Sequence, residues 1–398
     1  MLLPESVRAN LRLARLDRGE LSGSLGDLGT FLPLLVGMSV QNGLSFASGL
    51  FFAGLFNVVT GLAFAVPMAV QPMKAIAAVA LTEGLTVPEI LAAGATVSAV
   101  VLVLGLTGLI DGLNRIIPKS VVRGLQLALG LSLLMKAAQM VMATHTWLGP
   151  DSYVVGLLAL AAAMTLFFSD RVPVALLLFG AGLGLAMWKA PGVVHQLGVG
   201  FTLPVWTPIA WADVVSAFPK AALPQIPLTT LNSVIAVCAL SGDLFPGRRV
   251  GPRKVAISVG IMNLVSAPFG GMPLCHGAGG LAGQYRFGAR TNGSILFLGM
   301  AKMALAVLLG SSLIALLGAF PRSILGVMLA VSGLELALVV RDQVRLPNAF
   351  VALVTAGACL GLGNVGLGFC VGLAIAWGMA AVGRRGAHQE EERGRRPK

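Results

Sequence analysis

Of the chain's 398 residues 56% are hydrophobic and only 11% charged, a balance that excludes an ordinary soluble globular domain. A net charge of +12 would suggest nucleic acid as the partner of a soluble protein. Here the basic residues gather in connections between apolar runs of about 20 residues, each long enough to cross a hydrocarbon core of about 30 Å. Cys238, Cys275, Cys359 and Cys370 have neither metal nor disulfide spacing and read as small packing residues.

In chain order, residues 1–20 carry Arg8, Arg12, Arg15 and Arg18 and read as a cytoplasmic segment ahead of an uncleaved first span. Fourteen segments then start near residues 24, 46, 70, 87, 118, 152, 172, 224, 252, 275, 292, 321, 347 and 365. The connection at 189–223 contains WTPIAWADVVSAF, whose two tryptophans suit a helix lying at the outer interface or a plain extracellular loop. Residues 384–398 form a charged tail with no soluble regulatory domain. With the N-terminus inside, the outer connections hold only Lys189, Lys220 and Arg322, and the other basic connections fall inside. That bias places both termini in the cytoplasm, as expected for a protein of the cell's inner or plasma membrane.

The two halves, 21–188 and 224–383, repeat one another. GDL at Gly26 to Leu28 is followed by FNVVTGLAFAVP and IPKSV; GDL at Gly242 to Leu244 is followed by MNLVSAPFGGMP and FPRSI. Asn57 and Pro67 are spaced as Asn263 and Pro273 are. Seven spans per repeat is an odd number, so the halves have opposite orientations. The expected fold is an all-α integral membrane protein of about 14 segments in two inverted repeats. This plan favours transport by alternating access over an anion channel. No nucleotide-binding loop, metal-ligand cluster or catalytic triad is present, so neither an enzyme nor a cofactor is expected.

The third segment, AVPMAVQPMKAIAAVAL, and the tenth, GGMPLCHGAGGLAGQYRFG, are short and broken by proline and glycine. Helical structure beginning near Pro72 or Met73, and again after Pro273, puts two helix N-termini near the bilayer midplane. Each presents unpaired N–H groups and a partial positive charge, which favours an anion. Lys74 either attracts that anion or pairs with Asp27. Gln71 donates to an oxyanion or caps a helix, and His276 donates to the substrate, carries a proton or is structural. Asp27, Asp243 and Glu335 are candidates for ion coupling or structural charge, with Lys136 and Lys302 as weaker ones.

GDLGTFLPLLVGM at 26–38, VQPMKAIAAVAL at 70–81 and PLCHGAGGLAGQYRFGAR at 273–290 resemble the molybdate transporter family, a branch related to the sulfate permeases. The resemblance implies the seven-plus-seven fold of sulfate and uracil permeases, with a core domain moving against a gate domain. It also implies uptake of molybdate at a site between segments 3 and 10. Combined with the half-helix argument, it points to Gln71, Pro72, Met73, Lys74, Cys275, His276, Gly277 and Ala278. Proton coupling through Asp27, Asp243 and His276 and a homodimer are compatible with this reading. Sulfate or another oxyanion stays open as substrate; a nucleobase is disfavoured because the tenth segment has no Asp or Glu before Arg286.

Overall fold

The computed structural model describes residues 5–394 other than 27, 111, 113–115, 168–173, 193–203, 205 and 249. Two short helices, α1 (Glu5–Leu13) and α2 (Arg18–Leu25), lead into α3 (Leu28–Asn42). The axis bends by 42° between Arg18–Leu25 and Thr30–Asn42. Asp27, at that junction, lies outside the described residues. The first half continues with α4 (Phe46–Phe64), strand β1 (Val70–Pro72), α5 (Lys74–Glu83), α6 (Val87–Thr107), α7 (Lys119–Met142), α8 (Tyr153–Leu166) and α9 (Val174–Lys189). The second holds α10 (Trp211–Leu244), α11 (Pro252–Ser266), strand β2 (Leu274–His276), α12 (Ala278–Arg286), α13 (Gly293–Gly318), α14 (Arg322–Ala337), α15 (Leu346–Gly361) and α16 (Val365–Gly394).

Local chemistry sets these boundaries. Ser45 and Ser152 accept backbone N–H groups at the starts of α4 and α8, and Thr86 and Glu89 form a reciprocal capping box at α6. Both copies of the repeated P-[KR]-S-[VI] element begin a helix, with Pro118 the N-cap of α7 and Pro321 the N-cap of α14. Proline's fixed φ and missing N–H cost nothing there.

Two departures from the sequence reading stand out. The boundary expected at residue 224 falls inside one continuous helix, α10, so WTPIAWADVVSAF leads directly into a span instead of forming a separate interfacial helix. Pro219 lies in a π-helical stretch, Phe218–Ala222, and Pro224 and Pro227 in the α-helical stretch Leu223–Leu228 between it and a second π-helical stretch, Thr229–Ala236, and none of them ends the helix. The broken segments are also not purely helical: β1 and β2 pair antiparallel, Val70 with His276, Gln71 with Cys275 and Pro72 with Leu274. Non-helical backbone deep in a membrane protein must find internal partners, and here each break satisfies the other.

That pairing expresses the repeat. Val70 and His276 are separated by the same sequence interval as Asn57 and Asn263, so equivalent residues meet at one point of the ladder, as a pseudo-twofold axis requires. The same axis relates the packing of α4 on α13 to that of α11 on α6. Gly54 and Gly260, equivalent positions, lie in these two contacts; a Cβ at Gly54 would stand 2.6 Å from Gly299 O, and one at Gly260 2.5 Å from Leu102 Cβ. Small residues allow this approach of backbones, as in membrane helix pairs generally.

Among the described residues seven helices are long and apolar enough to cross a membrane, or eight if the bent pair α2–α3 is one span. The fourteen segments expected from the sequence also count the three shorter apolar helices, α11 and the two breaks. At the centre lies α5, in which Ala75 to Leu81 are all at most 2% exposed.

Candidate functional site

The strands end where two half-helices begin. Met73 is the N-cap of α5 and its N–H bonds Pro273 O at 2.9 Å; Gly277 is the N-cap of α12. Asn263 clips β2 in place, with Nδ2 donating to Leu274 O at 2.7 Å and Oδ1 accepting from Leu274 N at 2.6 Å. The first bonds inside the two helices run from Ala77 N to Met73 O and from Leu281 N to Gly277 O. The three preceding N–H groups of each helix have no helical acceptor.

The two ends differ in how those groups are met. At α5, Gln225 of α10 brings its Oε1 to 2.8 Å from Ala75 N and 3.4 Å from Ile76 N, and its Nε2 donates to Thr229 Oγ1 at 2.9 Å. At α12, no described residue accepts from Ala278, Gly279 or Gly280 N–H. The Gln71 amide lies against this open end. A Cβ at Gly277 would collide with Gln71 Oε1, and one at Gly280 would stand 2.6 Å from Gln71 Nε2. Gln71 is 1% exposed and its Oε1 has no hydrogen-bond partner. A buried amide without its full set of partners beside uncapped helical N–H groups is an unfinished polar site.

A cavity opens here. The half-helices and β1–β2 contribute Gln71, Lys74, Cys275 and Gly277; α10 contributes Gln225, Leu228, Asn232 and Ser233; Gln126 of α7 and Leu336 of α14 complete the lining. Ser233 Oγ donates to Cys275 Sγ at 3.2 Å. Lys74 lines the cavity, and no carboxylate among the described residues pairs with it. Amide and ammonium donors with backbone N–H groups that no described residue meets suit an oxyanion.

Of the eight residues expected at the site, Gln71, Lys74, Cys275 and Gly277 line the cavity. Pro72, Met73 and Ala278 belong to the strand and helix starts beside it without lining it. His276 does not line the cavity: successive side chains on a strand point to opposite faces, so with Gln71 and Cys275 toward the cavity, Val70 and His276 lie on the other face. His276 is fully buried, Nε2 3.0 Å from Ser258 Oγ and Nδ1 3.2 Å from Ala69 O, with Phe64 edge-on to its ring. Asp243 is exposed in the last turn of α10 and away from the cavity lining. Asp27 and the Glu335 side chain lie outside the described residues. Lys136 is likewise off the lining. Lys302 is buried, with Nζ 3.3 Å from Asn57 Oδ1 and 3.7 Å from the centre of the Phe31 ring.

The sequence reading missed Gln126, Gln225, Asn232 and Ser233. A signal for the last three was present: Pro224 and Pro227 in an apolar run beside polar residues mark a third irregular span. Gln126 had only its polarity among apolar neighbours to distinguish it.

The fold defines the class. The transmembrane domain of a cyanobacterium bicarbonate transporter, BicA, matches it with a TM-score of 0.63 at 15% identity, over 90% of this chain and 97% of that one. The murine Slc26a9 anion transporter in its inward-facing state matches with a TM-score of 0.67 at 14% identity, over 94% of this chain and 70% of that one. At such identities the likeness is one of fold, and the chain has the multi-pass membrane fold of these transporters.

The chain belongs to the molybdate transporter family: a family described as "Molybdate transporter of MFS superfamily" matches residues 19–133 and 217–336, stretches that contain every cavity residue named above. Molybdate transporter 2 of Arabidopsis thaliana is 40% identical, over 93% of this chain and 89% of its own length. Molybdate transporter 1 of Chlamydomonas reinhardtii is 38% identical, over 94% and 93%. The resemblance carried by the three sequence elements is borne out, and the family is one of transport proteins rather than enzymes.

Proposed function

We propose that the chain imports molybdate by alternating access, binding the oxyanion against the N-terminus of α12 with Lys74 and Gln71 as further donors. The observation that carries this reading is the uncapped start of α12, whose N–H groups have no acceptor among the described residues, with the Gln71 amide beside it, a Cβ at Gly280 standing 2.6 Å from its Nε2. A helix N-terminus favours a negative charge, and Lys74 at the same cavity adds a full positive one. The relatives' names supply molybdate among oxyanions, because these donors recognise charge and oxygen geometry far more than the central atom.

In this reading the chain lies in the plasma or inner membrane with both termini cytoplasmic, and the inverted repeats run from 21 to 188 and from 224 to 383. The proton gradient drives uptake, and two copies associate. Radiolabelled uptake by cells expressing the chain, with molybdate, tungstate, sulfate and uracil as competitors, tests it. Saturable uptake suppressed by tungstate, weakly affected by sulfate and lost with a protonophore is the expected result. Suppression by uracil or sulfate at equal concentration would overturn the substrate assignment, and insensitivity to the protonophore would overturn the coupling.

A further inference from the structure

Lys119, Arg123 and Gln126 follow one face of α7 at spacings of about one turn. Gln126 is 2% exposed and lines the same cavity as the half-helices. Its Oε1 accepts from Arg123 Nη1 at 2.8 Å. Arg123 is itself held by Asp342, at the end of the Arg322–Asp342 span that begins with α14, with Nε 3.1 and 3.0 Å from the two carboxylate oxygens and Nη2 2.7 Å from Oδ2. Lys119 Nζ reaches the same Oδ2 at 2.7 Å, and Gln343 Nε2 donates to Oδ1 at 2.6 Å.

A guanidinium has only donors, so the Gln126 oxygen must face Arg123 and the Gln126 NH2 must face away from it. The reverse orientation would bring N–H against N–H at Arg123 and turn lone pairs toward the bound anion. Taking the oxyanion site above as given, we propose that Gln126 is a substrate-binding donor on α7 and that Arg123, fixed by Asp342, is its positioning residue. The bound oxyanion then touches α7 as well as the half-helices, and the amide rejects cations at the same contact. The arrangement runs from an exposed lysine, through a bidentate ion pair, to a buried amide in the cavity. Strong charge-assisted bonds thus set the direction of a weaker neutral donor.

The test is calorimetric molybdate binding to the purified full chain carrying Gln126→Ala, Gln126→Glu, Arg123→Lys or Arg123→Lys with Gln126→Ala, with Gln71→Ala as reference. Gln126→Ala is expected to weaken binding about tenfold, the worth of one good hydrogen bond to an anion. Gln126→Glu keeps an acceptor for Arg123, so a purely structural role predicts wild-type affinity. The proposal predicts a larger loss than with alanine, because a carboxylate then faces the oxyanion. Arg123→Lys keeps the charge but not the fork and is expected to weaken binding by a factor similar to Gln126→Ala, with the double variant no weaker than either single one. Should Arg123→Lys fail to fold, Asp342→Asn, which leaves Arg123 in place but less firmly held, is expected to lower affinity in the same direction. Wild-type affinity in Gln126→Glu, or multiplicative losses in the double variant, overturns the proposal if Gln71→Ala is impaired. If Gln71→Ala also binds normally, the site itself is misplaced and the proposal falls with it.

Discussion

Gln225 Oε1 stands 2.8 Å from the backbone nitrogen of Ala75, so the N-terminus of α5 already carries a neutral acceptor supplied by α10. Two half-helices from equivalent places in the repeats are therefore not equivalent: one is capped by protein, and the other meets no acceptor among the described residues. On the proposed site, the anion's charge is met mainly by α12 and Lys74. Gln225→Glu should improve the cap electrostatically, because a carboxylate suits a helix N-terminus better than an amide. It also places a second negative charge at the cavity. The expected outcome is an unchanged or raised melting temperature without ligand, together with molybdate affinity lowered at least about tenfold. Equal affinity in a folded variant contradicts this division of labour.

Gly277 and Gly280 leave the space that Gln71 fills. A Cβ at Gly280 would lie 2.5 Å from Ala69 Cβ and 2.6 Å from Gln71 Nε2. Gly280→Ala should therefore displace the amide or strand β1, at a cost of about 1–3 kcal/mol for overpacking. Uptake kinetics should show a raised KM beyond any loss of expression. A wild-type KM would mean that the Gln71 position is not what the anion reads.

His276 is engaged through both ring nitrogens on the face away from the cavity. His276→Asn should lower thermal stability by about 1–3 kcal/mol through an imperfectly paired buried group, while the shape of uptake against pH stays that of the wild type. Loss of the pH dependence would return His276 to the coupling role that the sequence allowed.

Glu20 is 2% exposed and accepts from Arg290 N at 2.8 Å, Thr291 N at 2.7 Å and Ser294 N at 3.0 Å, tying α2 to the start of α13. Glu20→Ala leaves these donors buried and unpaired, a loss of roughly 3 kcal/mol or more. Thermal unfolding in detergent should show a marked drop, with Glu20→Gln intermediate. No change would mean that water replaces the carboxylate.

The sequence made the breaks and the repeat legible because proline and glycine punctuate apolar runs, and because equal Asn-to-Pro intervals survive in both halves. It did not show which way side chains point. Whether Cys275 or His276 faces the cavity depends on strand pairing, and the expected breaks carried no indication that they would pair as strands. Gln126 and Gln225 come from spans distant in the chain, so their approach to the half-helices follows only from packing. The continuity of α10 past residue 224 was hidden because prolines usually end helices, whereas here Pro224 and Pro227 sit in a helical stretch flanked on both sides by π-helical ones.

The most direct test is a structure of the protein with tungstate, an electron-dense oxyanion that can stand in for molybdate. The account predicts one strong peak at the start of α12, within hydrogen-bond reach of the Gly279 and Gly280 nitrogens and the Lys74 ammonium. A peak on α5 with Gln225 displaced, or one away from both half-helices, would contradict it.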